Sequence, residues 1–498
     1  MEHIQGNNRY QIRMMCLEDY IEAENPVRVI DCFVSRLSLE QLGFKHVILK
    51  EEGRPAFSPS VLLKLYLYGY NGSARIRSSR RLEAECKRNI ELRWLMEELC
   101  PSHATIASFR KEHTKELKEV FKLFTAFLYK EGLLHEKVVA IDGTKMRAQN
   151  SRKNNYSEKS IEEHLAYVES KTESYLKELD EMDKQESSEQ DNGMRIKKEQ
   201  IKEKLKHLQQ SKEKYSTLKE ILEQSEHKQI STTDADSRLL QTRLNQTEVV
   251  YNVQSATEIK NKLIVAFDVT NTNDYNQLHS MAVQAKESLQ TDELTAIADG
   301  GYYNGKQISD CEKNNIITLV APKDYILPTA VPDERYSYDK FKYDGSKDCY
   351  ICPEGQVLST DGSIQKRTKG KGKDRYEVTF KRYKTNACIN CPVKHLCTSS
   401  KMGRELQRYD YHNAVERNNN RVKQQPDIYQ TRQCVVEHPF GTIKRNWGYT
   451  YTLLKGTSKV AAEMALIFLS YNIKRTMSIM GVSKLIDALK TWKMPQVA

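Results

Sequence analysis

Residues 248–271 read EVVYNVQSATEIKNKLIVAFDVTN, two runs of β-branched and apolar residues on either side of the polar segment IKNK. Runs of this length, separated by a polar turn, predict two adjacent β-strands. Farther along the chain, the apolar spacing predicts a helix at 275–289 and a strand at 294–298. A short helix is predicted before Asn315, and another strand at 316–322. Strands that alternate with helices in this way indicate an α/β fold.

A further strand is predicted before this region, at residues 137–142, where KVVAID is β-branched and ends in an acid. The predicted order is therefore strand, strand, strand, helix, strand, helix, strand, which favours a mixed sheet with flanking helices. The chain returns to helical spacing over 413–446. It closes with a helix from Lys459, whose apolar face is expected to cover the sheet.

The segment between the first two strands, residues 157–229, is rich in Glu, Lys, Gln and Ser. Its apolar residues recur at steps of four and three in two sets, separated by the polar break SSEQDNG at 187–193. This pattern predicts two heptad-patterned helices that fold back as an antiparallel coiled-coil arm. A solvated spacer is the default interpretation of the arm, and contact with DNA or with a second subunit is the alternative.

The N-terminal part, residues 1–132, has helical apolar spacing from about Val27 onward, and Pro59 stands where one helix should begin. It contains two basic segments, RIRSSRR at 75–81 and SHATIASFRKEH at 102–113. We expect an all-helical domain whose helix pair could enter a DNA groove. A solvated, charged helix face is an equally good interpretation of these segments.

The bulk composition indicates a folded chain with a polyanionic partner. The chain has 498 residues and 39% hydrophobic content, enough for two or three domains, and it is not disordered throughout. A formal net charge of +11 and a pI near 8.9 favour nucleic acid over an anionic membrane surface, because no basic amphipathic helix stands out. Since no run resembles a signal peptide or reaches the ~20 apolar residues of a membrane span, the sequence predicts a cytoplasmic protein.

Five of the 11 cysteines crowd into a turn-rich segment over 325–408. Two pairs have the C-x-x-C spacing that is typical of tetrahedral Zn²⁺ ligation. The sequence predicts a structural zinc held by four of these five residues: Cys349, Cys352, Cys388, Cys391 and Cys397. Reduced cysteines without a metal are the alternative, and the odd total disfavours a disulfide framework.

Two acids end predicted strands and a third lies in the downstream helical segment. Asp142 is followed by GTK and Asp299 by GGYYNG, so each enters a loop where glycine lets another part of the chain approach closely. The third acid is Glu437. Three carboxylates from separate elements can hold a pair of Mg²⁺ or Mn²⁺ ions, which supply positive charge for phosphoryl transfer on DNA. For either aspartate, an acid that only caps the next element is the alternative.

The surroundings of Glu437 suit such a role. It lies in YQTRQCVVEHPFGTIKRNWGYT, residues 429–450, where Lys444 follows by two helical turns on the same face and Arg432 precedes by five residues. An acid for the metal beside cations for DNA phosphates forms a coherent active-site surface. Pro439 predicts a kink or a helix start nearby. An exposed helix with an ordinary i, i+7 charge pattern is the alternative.

Three strings in this order, VVAIDGTKMRAQNS, IADGGYYNG and VEHPFGTIKRNWGY, resemble the three catalytic blocks of DDE transposases from bacterial insertion sequences, especially the group numbered eleven-eighty-two. RPAFSPSVLLKLYLYGY and SHATIASFRKEH are similar to that group's N-terminal helical domain, so the resemblance covers most of the chain. It implies an RNase H-like catalytic fold. It also implies that the metal-binding acids are Asp142, Asp299 and Glu437.

The wider superfamily places a Tyr, an Arg and a Lys around its glutamate, and Tyr429, Arg432 and Lys444 are similar to these. One departure is that four residues rather than three separate Arg432 from Glu437, which puts the role of Arg432 in doubt. The remaining candidates for DNA contact are Arg445 and Trp447. Trp447 could stack on a flipped base, with an ordinary buried aromatic as the alternative. The rival acid is Asp268, which we interpret as structural or as a residue that supports the metal ligands without binding the metal itself.

The resemblance implies a transposase that binds the terminal inverted repeats of its element and cleaves DNA by two-metal phosphoryl transfer. The freed 3′-hydroxyl would then attack target DNA. Such enzymes act as dimers or larger assemblies on paired ends, here in the cytoplasm at the nucleoid. One alternative is a metal-dependent nuclease of the same fold without strand transfer, and another is a non-catalytic DNA-binding scaffold.

The predicted organisation is a helical N-terminal DNA-binding domain, a split RNase H-like core, two insertions and a C-terminal part that carries the glutamate. The first insertion is the coiled-coil arm, and the second is the cysteine-rich, zinc-binding module. The N-terminal domain covers 1–132, and the two pieces of the core cover 133–156 and 230–324. The arm covers 157–229, the cysteine-rich module 325–408 and the C-terminal part 409–498.

Overall fold

The computed structural model describes residues 10, 12, 14–48, 55–72, 74–185, 192–225, 229–243, 246–322, 331–370 and 375–495. The predicted break over 187–193 lies partly outside these residues, and the predicted start of the second insertion at residue 325 lies wholly outside them. Within the described residues the chain forms a mixed α/β fold, as the strand and helix pattern predicted.

Six α-helices form the N-terminal part, as far as its residues are described. They are α1 Val27–Ser35, α2 Pro59–Tyr70, α3 Ser79–Arg88, α4 Ile90–Leu95, α5 His103–Glu112 and α6 Thr114–Lys130. α2 begins at the predicted proline, and the hydroxyl of Ser58 caps it by accepting a hydrogen bond from the backbone N–H of Ser60 at 3.3 Å. The helical prediction for this part of the chain is therefore confirmed.

A long arm of two helices follows the first strand. These elements are β1 Val138–Arg147, β2 Asn155–Ser157, α7 Glu158–Gln185, α8 Asn192–Gln224 and β3 Gln229–Ser231. Ion pairs join Asp183 to Lys198 at 2.6 Å and Glu162 to Lys219 at 3.8 Å, so α7 and α8 run antiparallel. The helical hairpin is present as predicted, whereas its supercoiling stays a prediction.

The central sheet has six strands. The elements after the arm are β4 Arg238–Arg243, β5 Gln246–Glu258, β6 Ile264–Thr270, α9 Leu278–Ser288, β7 Leu294–Ala298, α10 Gly305–Lys313 and β8 Ile316–Val320. The strand order is β4-β5-β1-β7-β8, with β6 also paired to β5. β5 runs antiparallel to β1, β4 and β6, whereas β1, β7 and β8 are mutually parallel. The predicted order is confirmed, except that β4 was missed because its sequence RLLQTR is polar and lacks a β-branched run.

The cysteine-rich region is built from short strands. They are β9 Lys342–Asp344, β10 Cys349–Ile351, β11 Val357–Ser359, β12 Gln365–Lys369, β13 Tyr376–Tyr383 and β14 Leu406–Tyr409, with α11 at Lys394–Cys397. They form two three-stranded sheets, in the orders β11-β10-β9 and β12-β13-β14. Side chains from both sheets share a small core of Phe341, Tyr350, Leu358, Tyr383 and Leu406.

The C-terminal part is helical. It contains α12 His412–Gln424, α13 Pro426–Phe440, a π-helical segment Gly441–Asn446, α14 Thr457–Met480 and α15 Val482–Thr491. α13 continues through Pro439 and changes to π-helical hydrogen bonding at Gly441, so no helix starts at this proline and a kink there stays a prediction. The helical stretch predicted over 413–446 is interrupted at Gln425, before the proline that starts α13.

α14 is more deeply buried than its sequence pattern predicted. Instead of one apolar face on the sheet, Val460–Ile473 is buried throughout, because α14 packs against α2 and α6 on one side and β6 on another. A single hydrophobic core therefore extends from Ile21 in the N-terminal part to Trp492 after α15. Among the described residues, not even this helix is long and apolar enough to cross a bilayer.

Candidate active site

Asp142 and Asp299 come together where β7 ends beside the middle of β1, which continues past Asp142 to Arg147 instead of ending there as predicted. β1 and β7 are parallel, with Val138 opposite Thr295 and Ala140 opposite Ile297. Two further residues along this register bring Asp142 opposite Asp299, and neighbouring strands lie about 4.8 Å apart. The negative charge of Asp299 accordingly acts on Asp142.

The two aspartates repel each other where water is scarce. Burial, and then the charge of Asp299, raise the pKa of Asp142 to about 6. The backbone N–H of Gly143, which donates to the Asp142 carboxylate at 2.9 Å, and the positive charge of Arg432 act in the opposite direction. A buried pair of like charges is stabilised by a proton or by a bound cation.

A third acid beside this pair, Asp274, was not predicted. Its carboxylate accepts hydrogen bonds from Lys145 Nζ at 3.0 Å and from Asn252 Nδ2 and Gln254 Nε2 at 2.8 Å each. Burial opposes its ionisation, but Lys145 and the amide donors outweigh that effect and lower the pKa of Asp274. The signal for it was weak, an acid in the asparagine-rich loop four residues after β6.

Tyr302 lies close enough to the three aspartates to feel their charge. Its hydroxyl donates to Gln254 Oε1. Burial, followed by the charges of Asp274, Asp142 and Asp299, raises the pKa of Tyr302 well above its usual value. The edge of the sheet therefore carries one dense polar network in which the tyrosine stays protonated.

The absence of a side chain at Gly143 lets the Asp274 and Gln254 side chains approach the backbone of β1. A Cβ atom at this position would overlap the Asp274 carboxylate and the Gln254 amide. The close approach expected after Asp142 is therefore made by Gln254 of β5 and by Asp274 in the loop after β6.

The helix that carries Glu437 passes over the same strand. Val435 and Val436 pack against Ala140, and Lys444 Nζ donates to Thr144 Oγ1 at 2.8 Å. Ala140 and Thr144 flank Asp142 on one face of β1, because alternate strand residues share a face. α13 and the π-helical segment therefore run across the position of Asp142.

The Glu437 side chain itself is exposed. Its carboxylate accepts a hydrogen bond from Gln433 Nε2 at 2.9 Å and does not join the aspartate pair. In the part of the chain that the structure describes, no group of three or more His, Cys, Asp or Glu side chains is arranged to hold a metal ion. The structure thus unites two of the three predicted acids and places the third on the helix above them.

The other candidates around Glu437 have different surroundings. Arg432 acts electrostatically on Asp142, Tyr429 is half-buried and Arg445 is exposed. Trp447 is only 4% exposed, which favours the alternative of a buried aromatic over stacking on a flipped base. The rival acid Asp268 accepts its hydrogen bond from the backbone of Val269 and faces the charge of Lys118 on α6, consistent with a structural role.

The expectation that the N-terminal basic segments face a DNA groove is wrong for two of their arginines. Arg77 and Arg110 are 7% and 6% exposed. Arg77 pairs with the buried Glu463 at 3.3 Å, and Arg110 donates to the hydroxyl of Tyr70. Both guanidinium groups bond to buried side chains inside the protein and are not available to DNA. Sequence periodicity does not reveal these partners.

Four of the five clustered cysteines line one cavity. They are Cys352, Cys388, Cys391 and Cys397. Burial raises the pKa of Cys397, and the other three thiols raise it further, whereas the charge of Arg404 lowers it. The sulfur of Cys352 accepts a hydrogen bond from the backbone N–H of Gln356 at 3.2 Å. Cys349 is buried in β10 and does not line this cavity.

Two segments of the chain match known protein families. Residues 15–112 match the family described as Transposase domain (DUF772), and residues 351–477 match the family described as Transposase DDE domain. No curated protein and no solved structure gives a significant match. The class that these matches define is that of the transposases.

More particularly, the two matches support a DDE transposase of the insertion-sequence type, and the family interpretation of the sequence is confirmed. The second match includes α13 and therefore Glu437. A DDE domain generally implies dependence on a divalent metal ion.

Proposed function

We propose that this protein binds the terminal inverted repeats of its element, cleaves DNA there and joins the freed 3′-hydroxyl to target DNA. The observation that carries the proposal is the half-buried pair Asp142 and Asp299 beneath the helix of Glu437. The active form is a homodimer or larger assembly on paired DNA ends.

In this proposal Asp142, Asp299 and Glu437 hold divalent cations, Mg²⁺ or Mn²⁺. The donor chemistry fits, because hard cations prefer carboxylate oxygens and the two aspartates repel each other without a counter-charge. When bound, a pair of such ions supplies positive charge to the attacking and leaving oxygens. Arg432 offsets negative charge at Asp142, and the bond from Lys444 to Thr144 anchors the π-helical segment over β1.

The sheet supports an RNase H-like assignment of the core. Three antiparallel strands, β6, β5 and β1, continue into the parallel strands β7 and β8. We propose the domain bounds given above for this core, its arm, the cysteine-rich insertion and the flanking helical parts. The arm is interpreted as a solvated spacer, with contact to DNA or to a second subunit as the alternative.

Isosteric substitution of each acid tests the catalytic proposal. Asp142→Asn, Asp299→Asn and Glu437→Gln are each expected to lower Mg²⁺-dependent DNA cleavage by about a thousandfold, because the cation loses a charged ligand at the reacting phosphate. Binding to the terminal repeats should remain. The matched control is Asp268→Asn, another half-buried strand acid, which should cleave like the wild type.

Separate results would contradict separate parts of this proposal. An acid variant that still cleaves removes that residue from the site. If precut ends with Mg²⁺ give no joined product while cleavage persists, the protein is a nuclease without strand transfer. If the wild type shows no metal-dependent cleavage, the acids have no catalytic role and a DNA-binding scaffold is what remains.

We also propose a structural zinc in the cysteine-rich insertion, held by the four cysteines that line the shared cavity. Binding requires these side chains to draw together, because among the described residues they are not arranged as a metal site. Four thiolates are a preferred donor set for tetrahedral Zn²⁺, and the small core of this region benefits from such a crosslink. Cys349 is left out because its side chain does not reach the cavity. This zinc would stabilise the insertion and take no part in catalysis.

A further inference from the structure

A cleft of about 550 Å³ opens between the loop before α3, the π-helical segment and α14. It is lined by Arg75, His438, Thr442, Arg445, Asn446, Trp447, Tyr471, Lys474, Arg475 and Ser478. Four of these residues are arginine or lysine, and they come from three separate parts of the chain. None of the lining residues is an acid, so the cleft is strongly positive.

The four cations are not neutralised by the protein. Arg75, Arg445, Lys474 and Arg475 form no ion pair with any residue that the structure describes. Arg75 Nε donates to the carbonyl of Gly72 and Arg475 Nε to that of Asn261, both at 2.9 Å. These bonds orient the two guanidinium groups without cancelling their charge. Arginines held in this way are suited to bidentate recognition of phosphate oxygens.

The cleft adjoins the helix of the candidate active site. His438 and Thr442 line it from α13 and the π-helical segment, one and five residues after Glu437. Consecutive helix residues point about 100° apart, so the cleft begins a quarter turn around the helix from the glutamate. A long ligand seated in the cleft therefore passes close to Glu437.

We propose that this cleft binds the sugar-phosphate backbone of DNA next to the point of cleavage. The inference rests on the proposed function and deepens it by naming a substrate-binding surface. Backbone contact is favoured over base readout because the cleft presents cations, while its aromatic residues Trp447 and Tyr471 are buried. The excess of basic residues over the whole chain agrees with a polyanionic ligand.

The test compares two pairs of charge-neutralising substitutions. Arg445→Gln with Lys474→Gln removes two cleft cations, whereas Lys484→Gln with Lys493→Gln removes two exposed lysines outside the cleft lining. Binding to a DNA duplex of random sequence is measured over a range of salt concentrations. The cleft pair is expected to weaken binding about tenfold or more near 0.1 M salt and to lower the salt slope by about 2, one for each lost phosphate contact. The control pair should leave both quantities unchanged.

Three outcomes would overturn the inference. Equal effects of the two pairs would mean that only general charge matters, and no effect of the cleft pair would mean that DNA lies elsewhere. If inorganic phosphate binds the wild type but not the cleft variant while DNA affinity is the same for both, the ligand is a small anion. Cleavage by the wild type is measured in parallel. If the cleft proposal fails while the wild type still cleaves DNA, the proposed function is unaffected. If the wild type binds no DNA, both the cleft proposal and the proposed function are wrong.

Discussion

Removing the carboxylate of Glu463 should destabilise the protein strongly. This side chain is fully buried in α14, and it pairs with Arg77 at 3.3 Å. Its other oxygen accepts the backbone N–H groups of Leu453 and Leu454 at 2.8 and 3.1 Å. Glu463→Ala would leave a buried guanidinium without its counter-charge and two amides without an acceptor.

The expected loss is about 3–5 kcal/mol in the free energy of unfolding, the usual cost of breaking a buried ion pair from one side. The two orphaned amides place Glu463→Ala near the upper end of this range. Glu463→Gln keeps an oxygen for the amides and should cost less, roughly 2 kcal/mol. Arg77→Met combined with Glu463→Leu should cost less than the sum of the single changes, because neither charge is then left alone.

Equilibrium urea denaturation measures these differences. Trp447 is a suitable fluorescence reporter, because its ring centre lies 5.7 Å from that of Tyr449, over which the Arg77 guanidinium is placed at 4.5 Å. If Glu463→Ala unfolds within about 1 kcal/mol of the wild type, the burial argument is wrong. Additive effects of Arg77→Met and Glu463→Leu would show that the two residues do not act as a pair.

Three further predictions follow from local geometry. Gly72→Ala places a Cβ inside the Trp447 indole and should cost about 1–3 kcal/mol in urea denaturation, whereas wild-type stability would show that the indole can move freely. Burial lowers the pKa of His412 from 6.5 to about 4 in the folded protein. As the pH falls, the unfolded chain therefore binds a proton at this histidine before the folded protein does, and the free energy of unfolding decreases between about pH 6.5 and pH 4. That loss is about 2 kcal/mol between pH 7 and pH 5, and His412→Asn should abolish it in urea titrations at the two pH values; an unchanged loss would exclude this histidine. Metal analysis of the purified protein should find zinc that Cys391→Ser loses and Cys349→Ser keeps, and the opposite pattern would contradict the ligand assignment.

The strands and the two aspartates could be predicted because their signals are local. A β-branched run such as that before Asp142 needs only its own sequence to indicate a buried strand. The prediction that Asp142 ends this strand is wrong, because Gly143–Arg147 pair with β5 and extend β1 to Arg147. Asp299 does directly follow its strand, β7. The meeting of Asp142 with Asp299 follows once β1 and β7 are known to be parallel neighbours.

Features that depend on distant partners could not be predicted from the pattern. Arg77 carries the same charge as a surface arginine, and only its pairing with Glu463, far away in sequence, accounts for its burial. Asp274 joins the site because Asn252, Gln254 and Lys145 converge on it from two strands. The position of the Glu437 carboxylate is also beyond the pattern, because helical spacing fixes the face of a helix and not the conformation of an exposed side chain.

The burial of α14 on all sides affects how the protein handles a long substrate. Because this helix is common to the N-terminal helices and to the strands, these parts have no flexible joint along α14 and are expected to move as one body. DNA bound in the proposed cleft, which the loop before α3 and α14 both line, would then lie at a constant distance from the carboxylates. On this view a fixed distance within each subunit sets the place of the cut. Deletion of the N-terminal helices should then unfold α14 and the core around it, and not only remove part of the DNA-binding surface.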